Sequence, residues 1–205
     1  INVIQKLVND RLIIDLNLNA TNTVSDRPNI EGIIGNALSL NPTYPAYDAE
    51  GKPSVFPDVT NPLFQLAKYN DITNTTRIIG NISPSFEIIK GLVYKLNLGV
   101  DVSSSDRDVQ SVPSTTPQQI GDLDSYFVNN KNSLFENYLT YAFDKGPHNV
   151  SVMAGYSYQK IFVQSRGWSI DRFADNGIEP RYNPGLGQEI DLVDNRPSGS
   201  AVKNE

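Results

Sequence analysis

The most constraining feature of the sequence is a two-residue periodicity between Thr76 and Ser103, in two rows on either side of Lys90-Gly91. Before Lys90-Gly91 the apolar row is Ile78, Gly80, Ile82, Pro84, Phe86 and Ile88; after it the row is Leu92, Tyr94, Leu96, Leu98, Val100 and Val102. Between them stand Arg77, Asn81, Ser83, Ser85 and Glu87, then Lys95, Asn97, Gly99, Asp101 and Ser103. Side chains alternate faces along a strand, so this stretch predicts a long hairpin with one apolar and one polar face. Each arm exceeds the usual strand of about 5–6 residues and matches the roughly 9–11 residues a tilted strand needs to cross a bilayer.

Composition permits that reading and closes others. Hydrophobic residues make up 39% of 205, and mean hydropathy is −0.35. No run approaches the roughly 18 apolar residues of a spanning helix, whereas a transmembrane barrel keeps a polar average because only alternate residues face lipid. A net charge of −6 argues against nucleic-acid binding. The absence of cysteine and the single histidine, His148 in a turn, leave no thiol nucleophile and no His/Cys metal cluster. No Gly-x-Ser-x-Gly elbow occurs, so the chain is expected not to be an enzyme. The first residues lack the basic start and cleavage site of a signal peptide, and Ile1–Leu7 reads as the tail of an earlier strand.

The same alternation recurs in other segments. Strands are expected near residues 10–23, 73–88, 91–103, 133–143 and 148–163, with long loops over 24–72, 104–132 and 164–205. In the first loop, prolines 28, 42, 45, 53, 57 and 62 break regular structure. Two short helices are expected there, over Ile30–Leu40 and from Pro62 after an Asn61 cap. Short turns alternate strictly with long loops, as in an up-and-down barrel with short periplasmic turns and long external loops. The expected fold is therefore all-β: an antiparallel up-and-down transmembrane β-barrel segment, about five strands of a larger barrel. Phe86, Tyr141 and Phe143 fall just before tight turns, where an interfacial aromatic girdle belongs. The alternative is a soluble surface β-sandwich, a carbohydrate-binding or adhesin module, whose apolar rows would pack on a second sheet. A β-sandwich glycan hydrolase would need two carboxylates facing one cleft, and the strand pattern offers none.

Loop aromatics are the candidate ligand contacts: Tyr44, Tyr47, Phe56, Tyr126, Phe127 and Trp168. An aromatic face stacks on the C–H face of a sugar, though these rings could equally build small cores within the loops. Arg77, Glu87, Lys95, Asp101 and Glu136 are expected to line a lumen. The acids Asp122, Asp124, Asp171, Asp175, Asp191 and Asp194 have no EF-hand spacing and read as solvated charge rather than a calcium site. The Asn-x-Ser/Thr triplets at Asn19, Asn74, Asn81 and Asn149 read as coincidence in an Asn-rich sequence.

The words Asn41-Pro-Thr-Tyr-Pro-Ala-Tyr-Asp48, Asn61-Pro-Leu63, Thr76-Arg-Ile-Ile-Gly-Asn81, Ile88-Ile-Lys-Gly-Leu92, Leu134-Phe-Glu-Asn137 and Ala154-Gly-Tyr-Ser-Tyr-Gln-Lys160 occur in this order. Their ordered set resembles the SusC/RagA family of TonB-dependent outer-membrane transporters. The resemblance implies a barrel of about 22 strands around an N-terminal plug, of which this chain would be an internal part without the plug. It implies a location in the outer membrane and contact with outer-membrane lipid. It further implies import of oligosaccharides, or of peptides in some branches. The implied partners are a SusD-like surface lipoprotein that closes over the loops, and TonB acting on the plug.

Overall fold

The computed structural model describes residues 1–115, 118–189 and 198–204. Seven strands form one antiparallel sheet: β1 (Asn2–Leu7), β2 (Leu12–Asp26), β3 (Tyr69–Ile89), β4 (Leu92–Ser111), β7 (Gly121–Lys145), β8 (His148–Phe173) and β9 (Ser198–Asn204). They lie side by side in sequence order. A two-residue hairpin, β5 (Ser114–Thr115) with β6 (Gln118–Gln119), sits in the β4–β7 connection. Helices α1 (Ile30–Ser39) and α2 (Pro62–Lys68) occupy the β2–β3 connection. All three short turns lie at one end of the sheet and the longer connections at the other.

The register places each apolar row on one face. Leu16 pairs with Ile82, Ile82 with Leu98, Leu98 with Phe135 and Phe135 with Tyr158. Among the described residues no second sheet covers this face, and Leu16, Ile82, Leu98, Phe135 and Tyr158 are each more than a third exposed. A soluble sandwich would bury these rows, so that alternative is overturned. The apolar band covers Leu12–Ala20, Ile78–Ile88, Leu92–Val102, Phe135–Phe143 and Val150–Tyr158. It does not follow the register: Val102, at its top in β4, pairs with Lys131, beyond the end of the band in β7. A slab of constant height crosses tilted strands in just this way.

The strands outrun the band. Residues 104–111, 121–132 and 164–173, expected in loops, continue the ladder, so β7 has 25 residues and β8 has 26. At about 3.3 Å per residue a 26-residue strand is roughly 85 Å long, against a hydrocarbon core of about 30 Å. Alternation fades above the band because polar residues interrupt the apolar row there, while backbone pairing needs no apolar row. The expected loop 164–205 also contains β9, whose Val202 pairs with Val163.

One connection adds an outer core. Pro180–Tyr182 and Pro184–Leu186 form 3-10 turns that lie over the apolar-row face beyond the band. Gln110, fully buried, donates to Glu179 Oε2 at 2.9 Å and accepts from the Arg181 N–H at 3.0 Å. Leu123 and Pro180 are buried beside it.

The tight turns depend on individual residues. Gly91 has φ +84°, and a Cβ there would lie 2.2 Å from the Ala142 carbonyl oxygen of the neighbouring strand. Gly146 has φ +61° with open space around it. Gly91→Ala is therefore expected to cost about 1–3 kcal/mol through strain and collision, and Gly146→Ala about 1–2 kcal/mol from its backbone conformation alone. Thermal unfolding of the parent protein checks this: a Tm loss for Gly91→Ala no larger than for Gly146→Ala would refute the contact.

Candidate functional site

The face opposite the apolar rows is polar and cross-linked by side chains. Ser83 donates to Asn97 Oδ1 at 2.8 Å, Asn97 to Glu136 Oε2 at 2.9 Å, and Ser157 to Glu136 Oε1 at 3.3 Å, a chain across β3, β4, β7 and β8. Arg77 grips Asp101 with two bonds of 2.9 and 2.7 Å. Register puts Glu87 and Lys95 on this same face.

Towards the long connections a second fork lies on that face. Arg107 donates to both oxygens of Asp71, at 2.8 and 2.7 Å. Asp71 is only 7% exposed at its side chain, and the guanidinium bonds hold its carboxyl below the usual range. The same guanidinium stands 5.8 Å from the ring centre of Tyr126. Ser169 donates to Asp124, and the Ser111 N–H donates to Asp122 at 2.8 Å. Asp191 and Asp194 lie outside the described residues.

Above this fork, Asn29, Asn36, Thr60, Gln65, Lys68, Tyr69, Ser111 and Gln119 enclose a cleft of about 280 Å³. The helix starts create it. Asn61 caps α2 by accepting from the Leu63 N–H and also donates to the carbonyls of Ala46 and Ser54, tying the loop to the helix. Asn29 caps α1 by accepting from the Gly32 N–H. Asn36 donates to Gln65 Oε1 at 2.9 Å, joining the helices, and Gln119 donates to the Val112 carbonyl. Each amide is thus held at one end. Asn29 and Gln65 keep an NH₂ for a ligand, while Asn36 and Gln119 keep a carbonyl oxygen. Lys68 adds a cation, and Thr60, Tyr69 and Ser111 add hydroxyls. Burial, reinforced by Asp71, raises the Tyr69 phenol, which stays a neutral donor at physiological pH.

The aromatic candidates do not converge on this cleft. Tyr44 stacks on Phe56 at 4.9 Å inside the β2–β3 connection, and Tyr47 bridges to Pro53 in the same loop. Phe127 packs against Trp168 at 4.7 Å. Register puts that pair on the apolar-row face, whereas Tyr126 is on the polar face, so neighbours in sequence serve opposite sides. The cleft residues escaped the sequence reading because they come from four separate stretches of ordinary polar composition. The Asn29 and Asn61 capping positions were the only local signals.

A single tilted sheet, apolar outside and polar inside, with short turns at one end and long connections at the other, is a sector of the wall of a large transmembrane β-barrel. The comparisons agree. The TonB-dependent receptor P3 of Formosa agariphila is 31% identical over 156 residues, covering 73% of this chain and 15% of that protein. Solved structures of the RagAB peptide importer, in its closed-closed and open-open states, superpose with TM-scores of 0.71 and 0.70 at 16% identity. They cover 98% of this chain and 24% and 23% of the matched chains. No family model matches the chain. The chain belongs to the family of TonB-dependent receptors. It spans about a seventh of the curated relative and about a quarter of the solved chains.

Proposed function

We propose that the parent protein imports nutrient oligomers across the outer membrane, with this chain supplying wall and external loops and performing no catalysis. The observation that carries the reading is the two-faced sheet, whose polar side leads from the cleft between the long connections toward the short turns. A SusD-like lipoprotein would cover the loop end, and TonB would act through a plug.

Between oligosaccharide and peptide, the cleft favours the former. Paired amide donors and acceptors, hydroxyls and one cation suit a polyol, whose hydroxyls both donate and accept; a peptide side chain would call for apolar lining. Each lost hydrogen bond is worth about 1 kcal/mol, roughly fivefold. Lys68→Met and Tyr69→Phe in the whole receptor are each expected to raise the half-saturating concentration for oligosaccharide uptake by about fivefold. Uptake of labelled oligosaccharide and peptide mixtures by receptor-null cells carrying each variant tests this. Restoration of peptide uptake alone would select the peptide reading, and restoration of neither would overturn the transport reading.

A further inference from the structure

We propose that the cleft beside α1, α2 and the β5–β6 hairpin selects an acidic sugar unit, one bearing a carboxylate or a sulfate ester, next to an uncharged unit. The proposal rests on the oligosaccharide reading above and names the charge pattern of the oligomer.

The cleft holds a cation that the fold leaves uncompensated. Lys68 is the one charged residue among those that enclose it, and it is half-buried. Its ammonium meets the Pro113 carbonyl only at 3.5 Å, the long limit of a hydrogen bond. Among the described residues no carboxylate lies within ion-pair distance of it. A half-buried ammonium keeps donors to spare and a charge that water compensates only in part.

Its neighbours extend that bias. The Asn29 carbonyl is spent on the Gly32 N–H and the Gln65 carbonyl on Asn36, so both amides have their NH₂ groups left to offer. The Tyr69 hydroxyl is a further donor. An acidic group gathers several such donors around a cation, and charge-assisted hydrogen bonds are about twice as strong as neutral ones. A sugar hydroxyl would accept from Lys68 without neutralising it. The carbonyl oxygens of Asn36 and Gln119 remain for the hydroxyls of the same ring.

Nearby acids do not cancel the cation. Asp71, Asp122 and Asp124 bear on Tyr69, yet none of them lines the cleft. Arg107 holds both oxygens of Asp71, Asp122 accepts the Ser111 N–H, and Ser169 donates to Asp124. Arg27 adds a further cation beside Asp71, its backbone N–H donating to the Asp71 carbonyl and its guanidinium to Thr73 at 3.0 Å.

The adjoining cleft sets what stands next to the acidic unit. Gln119 also borders a cavity of about 270 Å³ whose lining includes Thr115, Gln118, Phe173 and Asp175. Two clefts of similar size that share a residue suit successive units of one oligomer. The second carries a carboxylate where the first carries an ammonium. A second acidic unit is therefore repelled there, whereas hydroxyls can donate to Asp175.

The test uses the whole receptor in receptor-null cells, fed an oligosaccharide pool from partly hydrolysed plant and algal walls, with captured sugars identified by mass spectrometry. The pool is offered untreated, after carboxyl reduction and after desulfation, which separates the two sources of charge. Oligomers that alternate acidic and neutral units should be enriched over neutral ones by about tenfold or more, and one of the two treatments should abolish the enrichment. Lys68→Met should weaken capture of the acidic members by about ten- to a hundredfold, against about fivefold for neutral ones, and Lys68→Arg should restore it. Asp175→Asn should admit uniformly acidic members, and their continued exclusion would overturn the neutral neighbour. Equal capture of acidic and neutral members by the wild type would overturn the proposal and leave the oligosaccharide reading standing. Capture of peptides alone would remove that reading itself. Should a variant fail to reach the outer membrane, the wild-type comparison decides the matter.

Discussion

Replacing Leu98 with arginine will prevent stable insertion of the wall, whereas an arginine at Asn19 will be tolerated. Leu98 lies near the middle of the band in β4, between Ile82 and Phe135 on the same face. A charged residue at the midplane of a lipid-facing barrel surface costs about 2–4 kcal/mol, a fall of roughly thirty- to a thousandfold in the folded-to-unfolded ratio. Asn19 pairs with Ile79 on the polar face of β2, is exposed, and meets water there. Its replacement should cost within about 0.5 kcal/mol, the usual range for surface changes. Denaturant titration of the whole receptor in bilayers measures both. Equal costs at the two positions would mean that the faces have been assigned wrongly.

The second large effect is expected at the Asp71–Arg107 fork. Arg107→Met leaves a nearly buried carboxylate without its cation, a loss of about 3–5 kcal/mol for a fully buried pair. Arg107 is 39% exposed, so water reaches the fork and a cost of about 2 kcal/mol is the better expectation. The pH dependence is the sharper test. In the wild type the folded carboxyl titrates below its unfolded value of about 3.9. Its contribution is present in full above that value and is lost as pH falls through the depressed folded one. In Arg107→Met, burial without the guanidinium raises the folded pKa instead, so the fork region should gain stability as pH falls from 7 toward 4. Hydrogen exchange over residues 69–75 and 104–111 between pH 3 and 7 reads the two slopes. Slopes of the same sign would refute the pairing.

What the chain spells out locally is the membrane-crossing part of its fold. Ile78–Ile88 and Leu92–Val102 announce their own faces because lipid on one side and water on the other impose opposite chemistries on alternate residues. Lys90-Gly91 and Gly146-Pro147 mark the tight turns, and Asn61-Pro62 marks a helix start. Where that contrast ends, legibility ends with it. Ser104–Ser111 and Gly121–Asn132 are strands with polar residues on both faces, and nothing in their order distinguishes them from loop. Their partners do: Asp108 reaches Ser125, Arg107 reaches Asp71, and Gln110 is enclosed by Glu179 and Arg181.

The candidate site divides along the same line. The loop aromatics could be picked out one at a time, because a large ring in a polar stretch is a local anomaly. Pairing decided what they touch, sending Tyr126 to the polar face and Phe127 with Trp168 to the other. The cleft of Asn29, Asn36, Gln65, Lys68, Tyr69 and Gln119 belongs to tertiary structure alone, since neutral amides carry no pattern until two helices and two strand ends bring them together. The sequence by itself determined the faces, the turns and the family, all written in neighbouring residues. Strand length beyond the membrane and the cleft were decided by register, which joins residues that one-dimensional order keeps apart.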